Sequence, residues 1–353
     1  MKHIAIIGAG VLGGAIAWRL AEQGHRVTLY DPTPGGQASP GSLAWLNASF
    51  SQDPVYNRLR GDSLIAWEEL SKAADPPPVR FPGAILWDQP HFDLDAILAE
   101  QEALARPARM LDRNEHLATE PNVQSPPDRA LFCEGDGFGL PVEITGWFLD
   151  RARQAGADVV QATVDGLEVT GNRTTGIHVN GATDPVDAVI LAAGIGLADL
   201  LAPLGIRLGM DNQPGLLVTT TPTRPLVSAM LATNGLHGWQ GADGRFLIGA
   251  DFGGGDAIGQ PDDHAAALVE RLGVLIPSAA KVEAERYTVR TRPMPADGRP
   301  AIGPIGPEGL YVVSTHSGMT LAPVIAEMVA KEVGSGASDP RLAPYRPGRD
   351  ALR

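Results

Sequence analysis

HIAIIGAGVLGGAIAWRLAEQGHRVTLYD, His3 to Asp31, decides how the rest of the sequence is read. His3 to Ile7 is an apolar strand that runs straight into GAGVLG, with Gly8, Gly10 and Gly13 at the spacing of a dinucleotide turn. Each glycine serves a different purpose. Gly8 permits the tight turn, Gly10 lets backbone approach a pyrophosphate, and Gly13 lets the next helix lie close on the strand. Phosphates then meet the free amides of a helix N-terminus. Ala17, Leu20 and Ala21 continue the helical stripe, Gly24 ends it, and Val27 to Tyr30 delivers Asp31, 18 residues beyond Gly13. A carboxylate there holds ribose hydroxyls. Three glycines in an apolar stretch also suit a tight helix contact; the order strand, turn, helix, strand, acid is what points to a nucleotide.

The chain has 353 residues, enough for a large core and more than one domain usually takes, so two domains are expected. Its formal net charge is −13, with 41 acidic and 28 basic residues and no basic run, which argues against nucleic acid and anionic membrane surfaces as partners. Cys133 is the one cysteine, so no intrachain disulfide forms, no multi-cysteine metal site exists, and a reducing cytoplasm fits. No metal site is expected. Lys2 and His3 before the apolar stretch Ile4 to Trp18 resemble a secretion signal in outline, yet the glycines sit at phosphate-binding spacing and no cleavage site follows. No other apolar run approaches the roughly 18 residues of a membrane span.

Helical and strand patterns alternate without repeats, which predicts a mixed α/β architecture. After Asp31 a loop, PTPGGQASPGSLAWLN, leads to a helix around Tyr56 to Ala73. Gly83 to Trp87 reads as a strand, Asp93 to Ala105 as a helix, and Pro141 opens another helix that ends at Gly156 before a strand at Asp158 to Gln161. Val164 to Val169 with Ile177 to Val179 suggests a hairpin, and Ala188 to Ala192 an apolar strand. Leu216 to Thr219, Phe246 to Ile248 and Tyr287 to Val289 read as short strands of an antiparallel sheet, with a helix at His264 to Leu275. Leu310 to Ser314 is a strand and Thr320 to Val333 a helix. The expectation is a discontinuous Rossmann-like nucleotide domain from 1–75, 139–211 and 291–353. An α+β substrate domain on a mainly antiparallel sheet fills 76–138 and 212–290.

Three further segments carry a resemblance. ASPGSLAW (Ala38 to Trp45), VDAVILAAGIG (Val186 to Gly196) with NQPGLLV (Asn212 to Val218), and RTRPMPADGRPAIGP (Arg290 to Pro304) with GLYVVSTHSGMTLAP (Gly309 to Pro323) are similar, in order and spacing, to segments of the D-amino-acid oxidase/glycine oxidase/sarcosine oxidase superfamily of flavoproteins. The resemblance spans nearly the whole chain and implies FAD, held non-covalently. It implies that Gly8, Gly10 and Gly13 bind the pyrophosphate, Asp31 the adenosine ribose, Ser39 and Ser42 the stretch from phosphate to flavin, and Val164 the adenine through its backbone. Gly194 would line the ADP half, and a helix opening at Gly318, Met319 and Thr320 would aim its amides at the flavin pyrimidine, where a helix dipole suits the charge of reduction.

On the substrate side, the resemblance implies that Arg292 grips a carboxylate, its fork suiting bidentate contact; a bracing ion pair is the other reading. Arg290 and Arg299 are its rivals. His316 would bind an acid or tune the flavin, unless it is a hydrogen-bonded loop histidine. Trp45, Trp239 and Tyr287 are candidate pocket walls, although such aromatics also serve as core. Asp297-Gly298 reads as a tight turn. No general base is needed, since a neutral amine passes its α-hydride directly to flavin N5. Sarcosine oxidase-like members attach flavin through a cysteine where this chain has Arg290, and place a lysine that assists reaction with oxygen where it has Thr320. A quinone or protein electron acceptor is therefore considered beside oxygen. The implied activity is oxidation of the C–N bond of an amino acid or N-alkyl amino acid to an imine. The alternatives are a 2-hydroxy acid dehydrogenase, the flavin subunit of a heteromeric amine dehydrogenase, and a nicotinamide-only dehydrogenase.

Overall fold

In a computed structural model, which describes residues 1–50, 53–88, 93–250 and 259–352, the strand His3–Ile7 lies inside a six-stranded sheet. The order is Ala301–Pro304, Leu310–Ser314, Ala188–Leu191, His3–Ile7, Arg26–Asp31, Asp158–Gln161. All neighbours are parallel except the edge strand Ala301–Pro304. Side chains alternate across the first strand, so Ile4 and Ile6 enter the core on one face while Ala5 and Ile7 enter another on the opposite face. Burial on both faces is why this strand reads as an unbroken apolar run.

The helices are α1 (Val11–Glu22), α2 (Pro54–Leu70), α3 (Leu94–Ala103), α4 (Arg113–Thr119), α5 (Pro141–Gln154), α6 (Leu197–Leu201), α7 (Pro261–Leu275) and α8 (Gly318–Ser335). α1 packs against α5 and α8 over one face of the six-stranded sheet, and α2 packs against α8. Over the opposite face lies a three-stranded sheet, Val164–Thr170, Arg173–Val179 and Ala182–Pro185, the last strand adding to the hairpin expected from the sequence.

A joint between α2 and α8 follows from one proline. Pro323 has no N–H, so the carbonyl of Met319, four residues earlier, loses its helical donor. The buried Trp67 indole replaces it, Nε1 lying 3.2 Å from Met319 O and 3.0 Å from Thr320 O, and Ser63 Oγ donates to Thr320 O at 2.6 Å. Trp67→Phe strips this donor from a buried carbonyl and is expected to cost about 2 kcal/mol, measured by denaturant unfolding of the holoprotein. An unchanged midpoint would show that the joint carries no stability.

The second large sheet has eight strands in the order Ala284–Arg292, Gln213–Thr220, Phe246–Gly249, Leu236–Gln240, Met230–Thr233, Ala84–Leu86, Ala130–Cys133, Ala108–Leu111. It is antiparallel throughout except where Met230–Thr233 meets Ala84–Leu86. α7 covers one face; the other buries Trp45, Phe138 and Trp239. A small sheet, Trp45–Leu46, Gly137–Gly139 and Val79–Arg80, carries Trp45 to the interior. Among the described residues no helix is long and apolar enough to cross a membrane, and no cluster of side chains suits a metal ion.

Candidate active site

A cavity of about 1570 Å³ runs from the glycine turn after His3–Ile7 to residues of the eight-stranded sheet. It begins where the parallel strands Ala188–Leu191 and Arg26–Asp31 flank His3–Ile7, whose continuing loop leads into α1. Gly8 has φ +107° and donates its N–H to Tyr30 O at 2.8 Å. A β-carbon at Gly13 would stand 1.8 Å from Gly8 O, so only hydrogen fits between α1 and the turn. No side chain of its own N-cap residue, Gly10, caps α1; Val11 N–H donates to Ser39 Oγ at 3.1 Å. Asp31 is buried at the strand end, its Oδ2 accepting from Ala9 N–H (2.8 Å) and its Oδ1 from Thr33 N–H (2.7 Å). A carboxylate has about four acceptor sites, so each oxygen keeps capacity for a hydroxyl. Gly8, Gly10, Asp31, Ser39, Ser42, Val164 and Gly194 all line this cavity, while Gly13 lies behind it, holding helix to turn.

The start of α8 lines the same cavity through Gly318, Met319 and Thr320, and its N-cap residue Ser317 makes no side-chain cap. Its opening amides therefore carry the positive end of the helix dipole into the cavity. Beside it stand Arg292, at the end of Ala284–Arg292, and His316. Arg292 is partly buried, and its Nη2 donates to Pro214 O at 2.8 Å. Burial, then the charges of Arg292 and Arg60, push the His316 pKa down to about 3. His316 is thus an uncharged imidazole at neutral pH, a hydrogen-bonding group rather than a second cation.

The rival arginines are differently placed. Arg290 is exposed and donates to Val289 O; Arg299 also reaches the cavity but pairs with Asp53, the N-cap residue of α2, at 2.7 Å. Asp297-Gly298 is a turn, with Gly298 at φ +74° and its N–H on Pro295 O, and Asp297 pairs with Arg349.

The aromatic expectations divide. Trp45 lines the cavity, meeting Phe50 and His237 edge-on at 5.4 and 5.8 Å. Trp239 is not among the cavity-lining residues: its ring stacks on Phe138 at 4.6 Å and its Nε1 donates to Leu43 O, so it supports the wall from the core. Tyr287 is corrected by strand parity. It shares a face with Val289, packed on the core beneath α7, and bonds Asp262, while Arg292 falls on the alternate set. Arg60 on α2, His237 and Phe50 are cavity residues that the sequence reading passed over. Arg60 is buried and braces the adjacent loop, donating to Asn47 O, Asn47 Oδ1 and Ser49 O. Its signal was present: Tyr56, Arg60, Ser63 and Trp67 follow one helical row, with two polar members on a buried face.

The family model described as FAD dependent oxidoreductase (DAO) matches residues 3–332. The chain belongs to this family. Among curated relatives of this FAD-dependent oxidoreductase, the glycine oxidase of Geobacillus kaustophilus is 27% identical, over 97% of this chain and 95% of the relative. The D-amino acid dehydrogenase of Rhizorhabdus wittichii is 25% identical, over 94% and 96%. The crystal structure of the Geobacillus kaustophilus glycine oxidase superposes with a TM-score of 0.83 at 25% identity, covering 99% of each chain. The residues present suit the cofactor that the family name carries. The turn excludes a side chain at Gly13, a carboxylate closes the adjoining strand, and two helix starts meet one elongated cavity.

Proposed function

We propose that this FAD-dependent oxidoreductase oxidises the C–N bond of an amino acid or N-alkyl amino acid. The supporting observation is the Arg292 guanidinium on the cavity wall beside the start of α8, where its planar fork suits a substrate carboxylate. FAD, when bound, would supply a hydride acceptor: the neutral amine would give up its α-hydride as the nitrogen lone pair forms the C=N bond, leaving an iminium that water hydrolyses to a carbonyl compound and the released amine. The chain's part is placement. Arg292 holds the carboxylate, uncharged His316 offers a hydrogen bond without repelling a cation, and Trp45, Phe50 and His237 wall the pocket against water. Gly8, Gly10, Gly13, Asp31, Ser39, Ser42, Val164 and Gly194 serve the dinucleotide, and the α8 amides serve the flavin ring.

The same proposal divides the labour along the chain. Residues 1–75, 139–211 and 291–353 hold the cofactor, while 76–138 and 212–290 form the substrate side, a split supported by sheet membership. The flavin is held non-covalently: Cys133 is buried, makes a 3.8 Å contact with Ser49, and is absent from the described cavity lining. We infer a quinone or protein electron acceptor, because no lysine is among the described cavity-lining residues and Thr320 Oγ1 is committed to Trp45 O at 3.2 Å. A cytoplasmic location accords with the lone cysteine.

The test is the visible spectrum of the purified protein under anaerobic addition of amino acids, N-methyl amino acids and 2-hydroxy acids. Bleaching by one amine class, and slow recolouring in air against fast recolouring with a quinone, is the expected result. Bleaching by hydroxy acids alone would sink the C–N reading.

A further inference from the structure

Behind the cavity wall lies a carboxyl group that the proposed chemistry does not use. Asp136 sits between the strands Ala130–Cys133 and Gly137–Gly139 and is 1% exposed. Its Oδ2 accepts from Trp45 Nε1 at 3.0 Å, whereas its Oδ1 is buried with no hydrogen-bond partner among the described residues. Trp45 links this carboxyl to the wall: its ring meets His237 and Phe50, and its carbonyl accepts from Thr320 Oγ1 at the start of α8. Any change in the Asp136–Trp45 bond therefore reaches the pocket face.

We propose that Asp136 is a positioning residue that sets the orientation of Trp45 and couples substrate binding to the gain or loss of one proton at its buried carboxyl. The charged and titratable neighbours are Arg106, Arg60 and Cys133. Arg106 donates to Gly135 O at 2.6 Å and to Glu68 at 3.0 Å; Arg60 is engaged by the loop at Asn47 and Ser49 and has Glu100 beside it. Cys133 lies in an apolar setting where burial, then the Asp136 charge, pushes the thiol well up. Neither guanidinium comes within ion-pair distance of Asp136 among the described residues, so their charges only partly offset its burial. Burial raises the Asp136 carboxyl to about 7, against the opposing pull of Arg106, the Trp45 bond and Arg60. Below that pH the group is a neutral acid that accepts an ordinary hydrogen bond from the indole N–H. Above it the carboxylate accepts a charge-assisted, shorter one. A bond that strengthens on ionisation draws the indole toward Asp136 and changes the wall that substrate meets.

The experiment has two arms on the holoenzyme. In protein labelled with ¹⁵N-tryptophan, the Trp45 indole resonance, assigned by Trp45→Phe, is expected to shift with a single transition near neutral pH. It should stay fixed in Asp136→Asn, which keeps an acceptor of the same shape. In steady-state kinetics, the ratio of the wild-type KM to the Asp136→Asn KM is expected to change about fivefold between pH 6 and pH 8, as for a hydrogen bond gaining charge, with kcat little changed; protonation of the substrate amine acts on both enzymes alike and cancels in the ratio. Asp136→Asn and Trp45→Phe should share one KM profile, set by the substrate amine, the first through loss of the proton and the second through loss of the transmitting ring. A Trp45 resonance that stays fixed from pH 6 to pH 8 in the wild type would overturn the proposal, and this arm stands even if Asp136→Asn does not fold. A ratio of wild-type to Asp136→Asn KM that stays constant from pH 6 to pH 8 would overturn it equally. The kinetic arm rests on the amino-acid reading and the resonance arm does not, so failure of one is distinguishable from failure of the other.

Discussion

Gly13→Ala is expected to purify colourless. A β-carbon at this position would stand 1.8 Å from Gly8 O and 3.0 Å from Gly8 C, both backbone atoms of the turn proposed to meet the cofactor. Neither can rotate aside, and Gly8 is itself held at φ +107° with its N–H on Tyr30 O. The helix must therefore retreat by more than 1 Å to reach ordinary contact, roughly 3.4 Å or beyond, carrying its opening amides away from where the phosphates would sit. Overpacking of this kind costs roughly 3 kcal/mol. Set against cofactor binding, that is at least a hundredfold in Kd. Gly24→Ala is the control: Gly24 has φ +79° with nothing within 4 Å, so strain alone acts, about 1 kcal/mol, and the protein stays yellow. Stoichiometric flavin in Gly13→Ala, read from the absorbance ratio and a reconstitution titration, would refute the dinucleotide cradle.

Arg292→Ala should give the opposite pattern, a yellow protein that scarcely recognises its substrate. Arg292 belongs to the strand Ala284–Arg292, registered against Gln213, and lies outside the glycine turn, so flavin content should not change. Loss of a partly buried bidentate carboxylate contact, about 3 kcal/mol, raises KM by two orders of magnitude or more. Arg292→Lys restores the charge but not the fork and should recover only part of the loss. Steady-state kinetics against the best substrate of the anaerobic panel, with bound flavin counted in each variant, separates the outcomes. An unchanged KM would remove Arg292 from the carboxylate role and leave it the brace for Pro214 that one of its bonds already makes.

The parts of the fold legible in the sequence are those where local pattern and tertiary demand agree. The strand His3–Ile7, the turn and α1 lie where the glycines and apolar stripe place them, and Asp158–Gln161 and Leu310–Ser314 match their expected limits. Elsewhere the signal was present but short. Thr233 pairs with Leu236 across Asn234-Gly235, a two-residue turn with Gly235 at φ +75°, and that dipeptide is a strong hairpin signal; yet each flanking strand has only four or five residues. A residue's place on the cavity was legible wherever it depends on backbone position, as at Gly8, Asp31 or Thr320, all of which line it. It was not legible where orientation decides. Tyr287 and Arg292 belong to one strand and point to different faces, and the helical row that carries Arg60 is visible in the sequence without saying which element covers it. Trp239 shows the same limit, since membership of a wall strand places a ring in the wall or behind it according to how its neighbours fill.

The six-stranded sheet joins His3–Ile7 to Leu310–Ser314 through the intervening strand Ala188–Leu191, and α1 packs directly on α8. On the ribosome, then, the first strand, turn and helix emerge as an unfinished surface. One side of α1 waits for residues translated long after it, and closing that distance makes assembly slow and leaves apolar surface open meanwhile. The loop-closure cost is recovered only when α8 docks, and α8 is also the element that brings its amides to the cavity. If the α8 amides serve the flavin ring as proposed, completion of the nascent core and completion of the cofactor site are one event, and a chain that has not finished folding would have nowhere to hold a flavin.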